Sequence, residues 1–274
     1  MEYGIKRREV LGMAPAACGL TAWLGLTHGS TVVADNKQER NETLVGFPQQ
    51  QPDAVRQVVG LSHFNIDRVR EIVTERPALA RASWDWGFGD WESPIGAASH
   101  VGRQDIAELL MEFGATPTIF TFAMLGRLEI VRSMIEAHPG IQKVHGPHGL
   151  TLMHHARVGG DRSKAVLAYL AKVGDADDSG IDTEIPEEEQ VRLLGTYRYG
   201  GQAAELLEVL VEKDELRIKP KGGVARRLVR LEPFVYYPAG ASFVRIRFDM
   251  SQQVAGKVTI VDGGLTVTAT RADG

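Results

Sequence analysis

Cysteine is almost absent from this 274-residue sequence. The one cysteine, Cys18, lies before Ala34, after which removal of an N-terminal segment is expected. Once that segment is removed, the chain has no thiol. It then has no disulfide framework, no cysteine nucleophile and no thiolate metal site, which suits a compartment where free thiols are a liability.

Charge of one sign is not in excess either. The sequence has 31 Lys and Arg against 35 Asp and Glu, a formal net charge of -4. This balance gives no global attraction to nucleic acid or to an anionic membrane, and no local basic patch is obvious, so no nucleic-acid partner is predicted. With 43% apolar and 24% charged residues, the chain is typical of a globular protein with a sizeable core and two domains.

Catalytic signatures are also missing. No S-x-x-K, G-x-S-x-G, H-E-x-x-H or P-loop string occurs. The string Gly87-Phe88-Gly89 lacks the third glycine and the strand context of a dinucleotide-binding loop. We therefore expect a protein that is not an enzyme and that uses no cofactor.

The N-terminus carries a pattern typical of a targeting signal. A basic group containing Arg7 and Arg8 precedes Val10-Leu11, an uncharged Gly/Ala-rich run to Leu26, and Val32-Val33-Ala34. This pattern resembles a twin-arginine export signal, which implies cleavage near Ala34 and delivery to the bacterial periplasm. Residues 1–34 are assigned to this signal.

Two alternatives for this segment remain open. An uncleaved segment would be a membrane anchor, although glycines and a proline interrupt the apolar run and make it a poor spanning helix. A lipoprotein site at Cys18 would require a leucine that Pro15-Ala16-Ala17 does not supply. We expect no membrane span in the mature form. Residues 35–52 are polar and glutamine-rich, which predicts a flexible linker.

The segment from Ser93 to Ala115 predicts two short helices separated by a glycine turn. Ser93-Pro94 suits the start of the first helix, Gly102 the turn and Gly114 the end of the second helix. The segment resembles the ankyrin repeat. The family's TPLHxAA start and GHxxxVxxLLxxGA finish are matched by Ser93-Pro94-Ile95, Ala98, Gly102, Leu109-Leu110 and Gly114-Ala115.

Variants of this unit recur on both sides, so residues 53–178 are predicted to form about four ankyrin repeats. The first copy, which contains Asp67, is a degenerate cap, and the later copies carry Gly126 and Gly160 where the central copy has Gly102. A single unit cannot bury its apolar stripe, so the copies should stack into a helical solenoid. The resemblance implies a scaffold that binds a protein or peptide on its concave face.

Residues 179–192 are predicted to form an acidic linker. The run from Asp175 to Glu189 is rich in Asp and Glu, which is typical of a solvated connection. Its start is similar to a calcium-binding EF-hand loop. Pro186 occupies the position that needs a bidentate Glu, so we reject a calcium site.

Residues 193–272 change to an alternating pattern that predicts an antiparallel β-domain. The opening L-G-x-Y and the later F-V-R-I-R-F-D and G-K-V-T strings resemble the small lipocalin-like domain appended to exported hydrolases of the serine β-lactamase class. That resemblance implies an accessory role without catalytic residues. The predicted fold class is multidomain α + β, an α-helical ankyrin-repeat solenoid followed by a small antiparallel sheet or barrel.

The histidines are densest in residues 138–155, which raises a metal site as an alternative. Thr151 and His154 fall on the threonine and histidine of the ankyrin start, where such a pair fixes the helix-start geometry by hydrogen bonding. His145 and His148 lie in a Gly-Pro loop, where polar residues are expected. We predict no metal ligand.

Aromatic residues are concentrated between the first two helical copies, in the string SWDWGFGDW. Trp86 and Phe88, at the tip between glycines, are predicted to anchor a partner, while Trp84 and Trp91 pack on the stack. The alternative is that all four cover the degenerate first copy.

Two functions follow from these features. The first is an exported, non-enzymatic ankyrin scaffold that mediates protein–protein interaction. The alternative is a hydrolase-associated or ligand-binding protein whose β-domain holds a small apolar molecule.

Overall fold

The computed structural model describes residues 48–177, 184–202, 205–250 and 252–272. The predicted export signal with Arg7, Arg8 and Ala34 lies outside these residues, as does the linker up to residue 47. None of the described helices is both long enough and apolar enough to cross a membrane.

The first described part of the chain consists of consecutive helix pairs. Within each pair the two helices contact each other, and the first helices α1, α3, α5 and α7 contact one another in sequence. The helices are α1 (Pro52–Leu61), α2 (Ile66–Glu75), α3 (Pro94–His100), α4 (Gln104–Glu112), α5 (Ile119–Met124), α6 (Leu128–Ala137), α7 (Leu152–Val158) and α8 (Lys164–Val173).

Side-chain caps fix where several of these helices begin. The side chain of Ser93 accepts a hydrogen bond from the backbone N–H of Gly96. The side chain of Thr151 accepts one from the backbone N–H of His154, as the sequence predicted for Thr151 and His154. Thr118 forms a capping box with Thr121 at the start of α5.

Glycine is required in the turns inside the pairs. Gly102 and Gly126 have φ angles of +77° and +70°, and a Cβ on either would clash with a backbone oxygen, that of Val158 or Arg162. The helices bury two hydrophobic clusters, and Leu110 is fully buried in the first of them.

Helix α9 (Glu187–Leu193) stands where the sequence predicted the later part of an acidic linker. Residues 178–183 lie outside the described part of the chain. The acidic linker predicted over residues 179–192 stays a prediction, but within it Glu189 is buried against the β-domain. There it accepts hydrogen bonds from Arg230, from the backbone N–H of Phe234 and from the hydroxyl of Tyr236.

The C-terminal part is a closed antiparallel barrel of eight strands, which confirms the predicted α + β fold with a β-domain. The barrel closes where Thr270 of the last strand pairs with Arg198 of the first. Alternating apolar side chains fill its interior, among them Tyr197 and Tyr236. Its strands are β3 (Gly195–Arg198), β4 (Leu206–Glu212), β5 (Glu215–Pro220), β6 (Arg226–Glu232), β7 (Val235–Pro238), β8 (Arg245–Asp249), β9 (Lys257–Asp262) and β10 (Leu265–Arg271).

Candidate functional site

A short hairpin joins the first helix pair to the second. Its strands are β1 (Trp84–Asp85) and β2 (Trp91–Glu92), with Trp84 opposite Glu92. Three consecutive residues at its tip, Gly87, Phe88 and Gly89, have positive φ angles of 110°, 59° and 70°. This backbone turns the tip back sharply, at a conformational cost for the non-glycine residue.

Three of the four hairpin aromatics do not occupy the positions that the sequence predicted. Trp84 packs on the helical core as expected, but Trp86 packs there too, and Phe88 packs against the barrel core. Trp91 was expected to pack on the stack, and this prediction is wrong, because its side chain is 62% exposed. Neighbouring strand residues face opposite sides, so the burial of Glu92 turns Trp91 outward.

Four side chains converge at the base of this hairpin and form a histidine–carboxylate cluster, His63, Glu92, His100 and His148. One potential ligand atom from each lies within 4.8 Å of all the others. His63 follows α1, His100 ends α3 and His148 lies in the loop before α7. The side chain of Glu92 is fully buried, and those of His63 and His148 are about one quarter exposed.

The contacts of Glu92 with the histidine rings are close, but its Oε1 atom has no hydrogen bond. Oε1 lies 3.0 Å from Nδ1 of His100 and 3.2 Å from Nε2 of His148. Oε2 lies 3.7 Å from Nε2 of His63. Both Oε1 of Glu92 and Nδ1 of His100 are buried without a hydrogen-bond partner. Buried polar atoms without a partner are uncommon in native proteins and call for a specific explanation.

Outer contacts hold the cluster side chains in place. Nδ1 of His63 lies 3.1 Å and 3.0 Å from the carbonyl oxygens of Val59 and Gly60, so this nitrogen carries a proton and donates it to them. The indole N–H of Trp86 donates to Oε2 of Glu92 at 2.7 Å.

His148 is held by Asp90 and by the barrel. Its Nδ1 lies 2.7 Å from Oδ2 of Asp90, and its backbone N–H donates to Oδ1 at 2.8 Å. Arg226, the first residue of β6, also donates to Oδ2, and its Nη1 lies 2.8 Å from Nδ1 of His148. These contacts fix His148 in a left-handed backbone conformation with φ of 61°, which is strained for a non-glycine residue.

The charges in the cluster favour a cation. Burial opposes ionisation of Glu92, but the nearby rings of His100 and His148 outweigh that effect and hold its pKa at about 2. Burial lowers the pKa of His100, and the carboxylate opposes this only in part. A carboxylate that stays charged thus lies against the His100 and His148 rings in a buried site.

Of the histidines that the sequence singled out, the structure brings only His148 into the cluster. His138 is exposed beyond the end of α6. Nε2 of His154 lies 2.9 Å from the carbonyl oxygen of His100, and Nδ1 of His155 lies 2.8 Å from that of Thr151.

Sequence reasoning missed His63, Glu92 and His100. No two residues of the cluster are spaced along the chain as in a short ligand motif, so no local motif pointed to them.

The arrangement can bind a metal ion or form a buried ion-pair network. No family model matches this chain, and no curated protein matches it.

Proposed function

We propose that this chain is an exported, non-enzymatic ankyrin-type scaffold that binds a protein or peptide partner beside its hairpin. Support for the ankyrin assignment comes from the consecutive helix pairs, from the left-handed glycines at 102 and 126, and from the cap that Thr151 provides to His154. The export assignment rests on Arg7 and Arg8. Determining the N-terminal residue of the periplasmic protein tests this assignment. The expected mature N-terminus is Asp35, and an uncleaved N-terminus contradicts it.

The exposure of Trp91 is the observation that carries the proposal. Its side chain lines a cleft of about 360 Å³ between the hairpin and the loop before α7, with Phe120 and Pro147 also in the lining. Phe243 is 61% exposed, and its ring lies beside Gly89, whose carbonyl accepts the N–H of Trp91. Exposed aromatic residues of this kind dominate the binding energy of many interfaces.

The proposed contact surface therefore differs from the one first predicted. Trp86 packs against the helical core and Phe88 packs against the barrel core, so we assign partner binding to Trp91.

A variant pair tests this surface. Trp91→Ala should weaken binding of the partner captured from the periplasm at least tenfold, or about 1.4 kcal/mol, because it removes the aromatic contact without opening the core. Phe64→Ala is the matched control, since Phe64 is 65% exposed outside the hairpin. The proposal requires one protein that binds the wild type and the control but not Trp91→Ala. Equal capture by all three chains contradicts it.

An apolar cleft at one end of the barrel favours a second candidate function, the binding of a small apolar ligand. The cleft has a volume of about 300 Å³, and Phe88 from the hairpin tip lies in its lining beside Leu207 and Leu265. A fluorescent fatty acid should bind the wild type and bind Leu265→Asp at least tenfold more weakly. Equal binding by both chains contradicts this function.

A further inference from the structure

We infer that the histidine–carboxylate cluster binds one divalent transition-metal ion, through three imidazole nitrogens and one carboxylate oxygen. This site goes beyond the proposed scaffold function. It requires neither a partner nor the ankyrin assignment.

The unpartnered atoms are the first argument. Oε1 of Glu92 and Nδ1 of His100 are both buried and lie 3.0 Å apart, yet they form no hydrogen bond with each other or with another group. A shared cation between the two atoms would satisfy both of them, which an ion pair without an aligned N–H does not.

The spacing of the atoms fits coordination. Metal–ligand bonds of 2.0–2.2 Å in a tetrahedral site place neighbouring ligand atoms roughly 3.3–3.5 Å apart. Oε1 of Glu92 lies 3.0 and 3.2 Å from the rings of His100 and His148, its Oε2 lies 3.7 Å from the ring of His63, and the ligand atoms all lie within 4.8 Å of one another. Side-chain movements of about 1 Å would bring the widest pair to the tetrahedral spacing.

The donor set defines the class of metal. Imidazole nitrogen suits zinc, copper, iron and nickel, whereas calcium and magnesium prefer sites built from oxygen. Four protein ligands fill a tetrahedral zinc site and leave no open position, which is typical of a structural metal rather than a catalytic one. This agrees with a scaffold that performs no chemistry.

The outer contacts orient the ligands as metal sites require. A ligating histidine usually donates its other ring N–H to a carboxylate or a backbone carbonyl. His63 meets this rule through Val59 and Gly60, and His148 meets it through Asp90 in the tautomer that carries its proton on Nδ1. Arg226 binds Asp90 from the barrel side and so holds the carboxylate beside His148.

The bound ion would join four segments of the described chain. These are the turn after α1, the base of the hairpin, the end of α3 and the loop before α7. Occupancy of the site should therefore stabilise the hairpin that carries Trp91.

Zinc binding to the purified, chelator-treated chain tests the inference. We expect one equivalent of Zn²⁺ to bind and to raise the unfolding temperature, while Ca²⁺ changes nothing. His63→Ala should weaken Zn²⁺ binding at least about 100-fold, because it removes a direct ligand. His138→Ala is the control, since it removes an exposed histidine outside the cluster and should bind Zn²⁺ like the wild type.

Glu92→Gln gives a second, independent result. Its amide oxygen can still accept from Trp86, and its NH₂ group can donate to the lone pairs of the rings, so the metal-free variant should fold. Zn²⁺ affinity should nevertheless fall at least about 100-fold, because the charged ligand is lost. No zinc binding by the wild type, or equal affinity for wild type, His63→Ala and Glu92→Gln, would overturn the inference and leave a buried ion-pair network.

Discussion

At the scale of single residues, His155 differs from the cluster histidines in what surrounds its ring. Its side chain is fully buried, and Nδ1 donates to the carbonyl of Thr151 at 2.8 Å. Nε2 is buried without a partner, and the ring packs on Phe120 at 4.7 Å between centroids. Burial, with small contributions from the nearby His154 and His100, lowers the pKa of His155 to about 4.

This lowered pKa predicts a pH dependence of folding stability. The unfolded His155 takes up a proton near its ordinary pKa of about 6.5, whereas the folded chain resists protonation until about pH 4. Between these values protonation favours the unfolded state, so stability falls as the pH is lowered through this window. From pH 7.5 to pH 5 the loss from this residue should be about 2 kcal/mol.

Chemical denaturation at the two pH values checks this expectation. His155→Phe keeps a ring of similar size but cannot take up a proton, so its stability should change with pH by about 2 kcal/mol less than that of the wild type. His138→Phe serves as the control for an exposed histidine. Equal pH dependence in the wild type and His155→Phe contradicts the assignment.

The residues of the candidate site were only partly predictable from sequence. The hairpin was recognised from its tryptophans and glycines, but the metal alternative was sought where histidines are dense. His154 and His155 are explained by backbone contacts, whereas His63 and His100 are isolated in the chain and meet only after the helices pack. Burial of Glu92 beside an exposed Trp91 depends on the tertiary placement of β2, which propensity alone does not determine.

At the scale of secondary-structure elements, local patterns predicted the helix pairs and the β-domain well. The turn glycines and the alternating residues of the last eighty positions carry strong local signals. Helix α9 was missed because its sequence, EEEQVRL, is indistinguishable from a charged linker until its partners are known. Those partners, Arg230 and Tyr236, lie on strands that follow much later in the chain.

Glu189→Ala should expose how much α9 contributes to the barrel. The change removes the carboxylate that accepts from the buried Tyr236 hydroxyl and pairs with the half-buried Arg230, so the free energy of unfolding should fall by roughly 3 kcal/mol. Glu188→Ala, on the exposed side of the same helix, should change it by less than about 0.5 kcal/mol. Urea denaturation measures both free energies. Similar values for the two variants would contradict a stabilising role of α9 and favour a linker.

At the scale of the whole molecule, the described helices and the barrel belong to one compact unit. The hairpin connects them in two ways. Phe88 packs against the barrel core, and Asp90 binds Arg226 of β6. A third contact, in which the backbones of Gly149 and Gly240 approach too closely for a Cβ, holds the loop that carries His148.

These contacts between the helical part and the barrel could not be predicted from the sequence, because an assignment of two domains with a linker treats the domains as independent. The pairing of Asp90 with Arg226 is set by how the barrel seats on the hairpin, and neither residue belongs to a local motif. A metal ion in the cluster would be connected to the barrel through His148, Asp90 and Arg226.

Anomalous X-ray diffraction from crystals grown with Zn²⁺ tests the central claim most directly. The expected result is one strong peak at the zinc absorption edge, roughly 2.0–2.2 Å from Nε2 of His63, Nδ1 of His100, Nε2 of His148 and Oε1 of Glu92. The claim would be contradicted if crystals grown from a Zn²⁺-containing solution showed no peak at this position and Glu92 were hydrogen-bonded directly to a histidine ring.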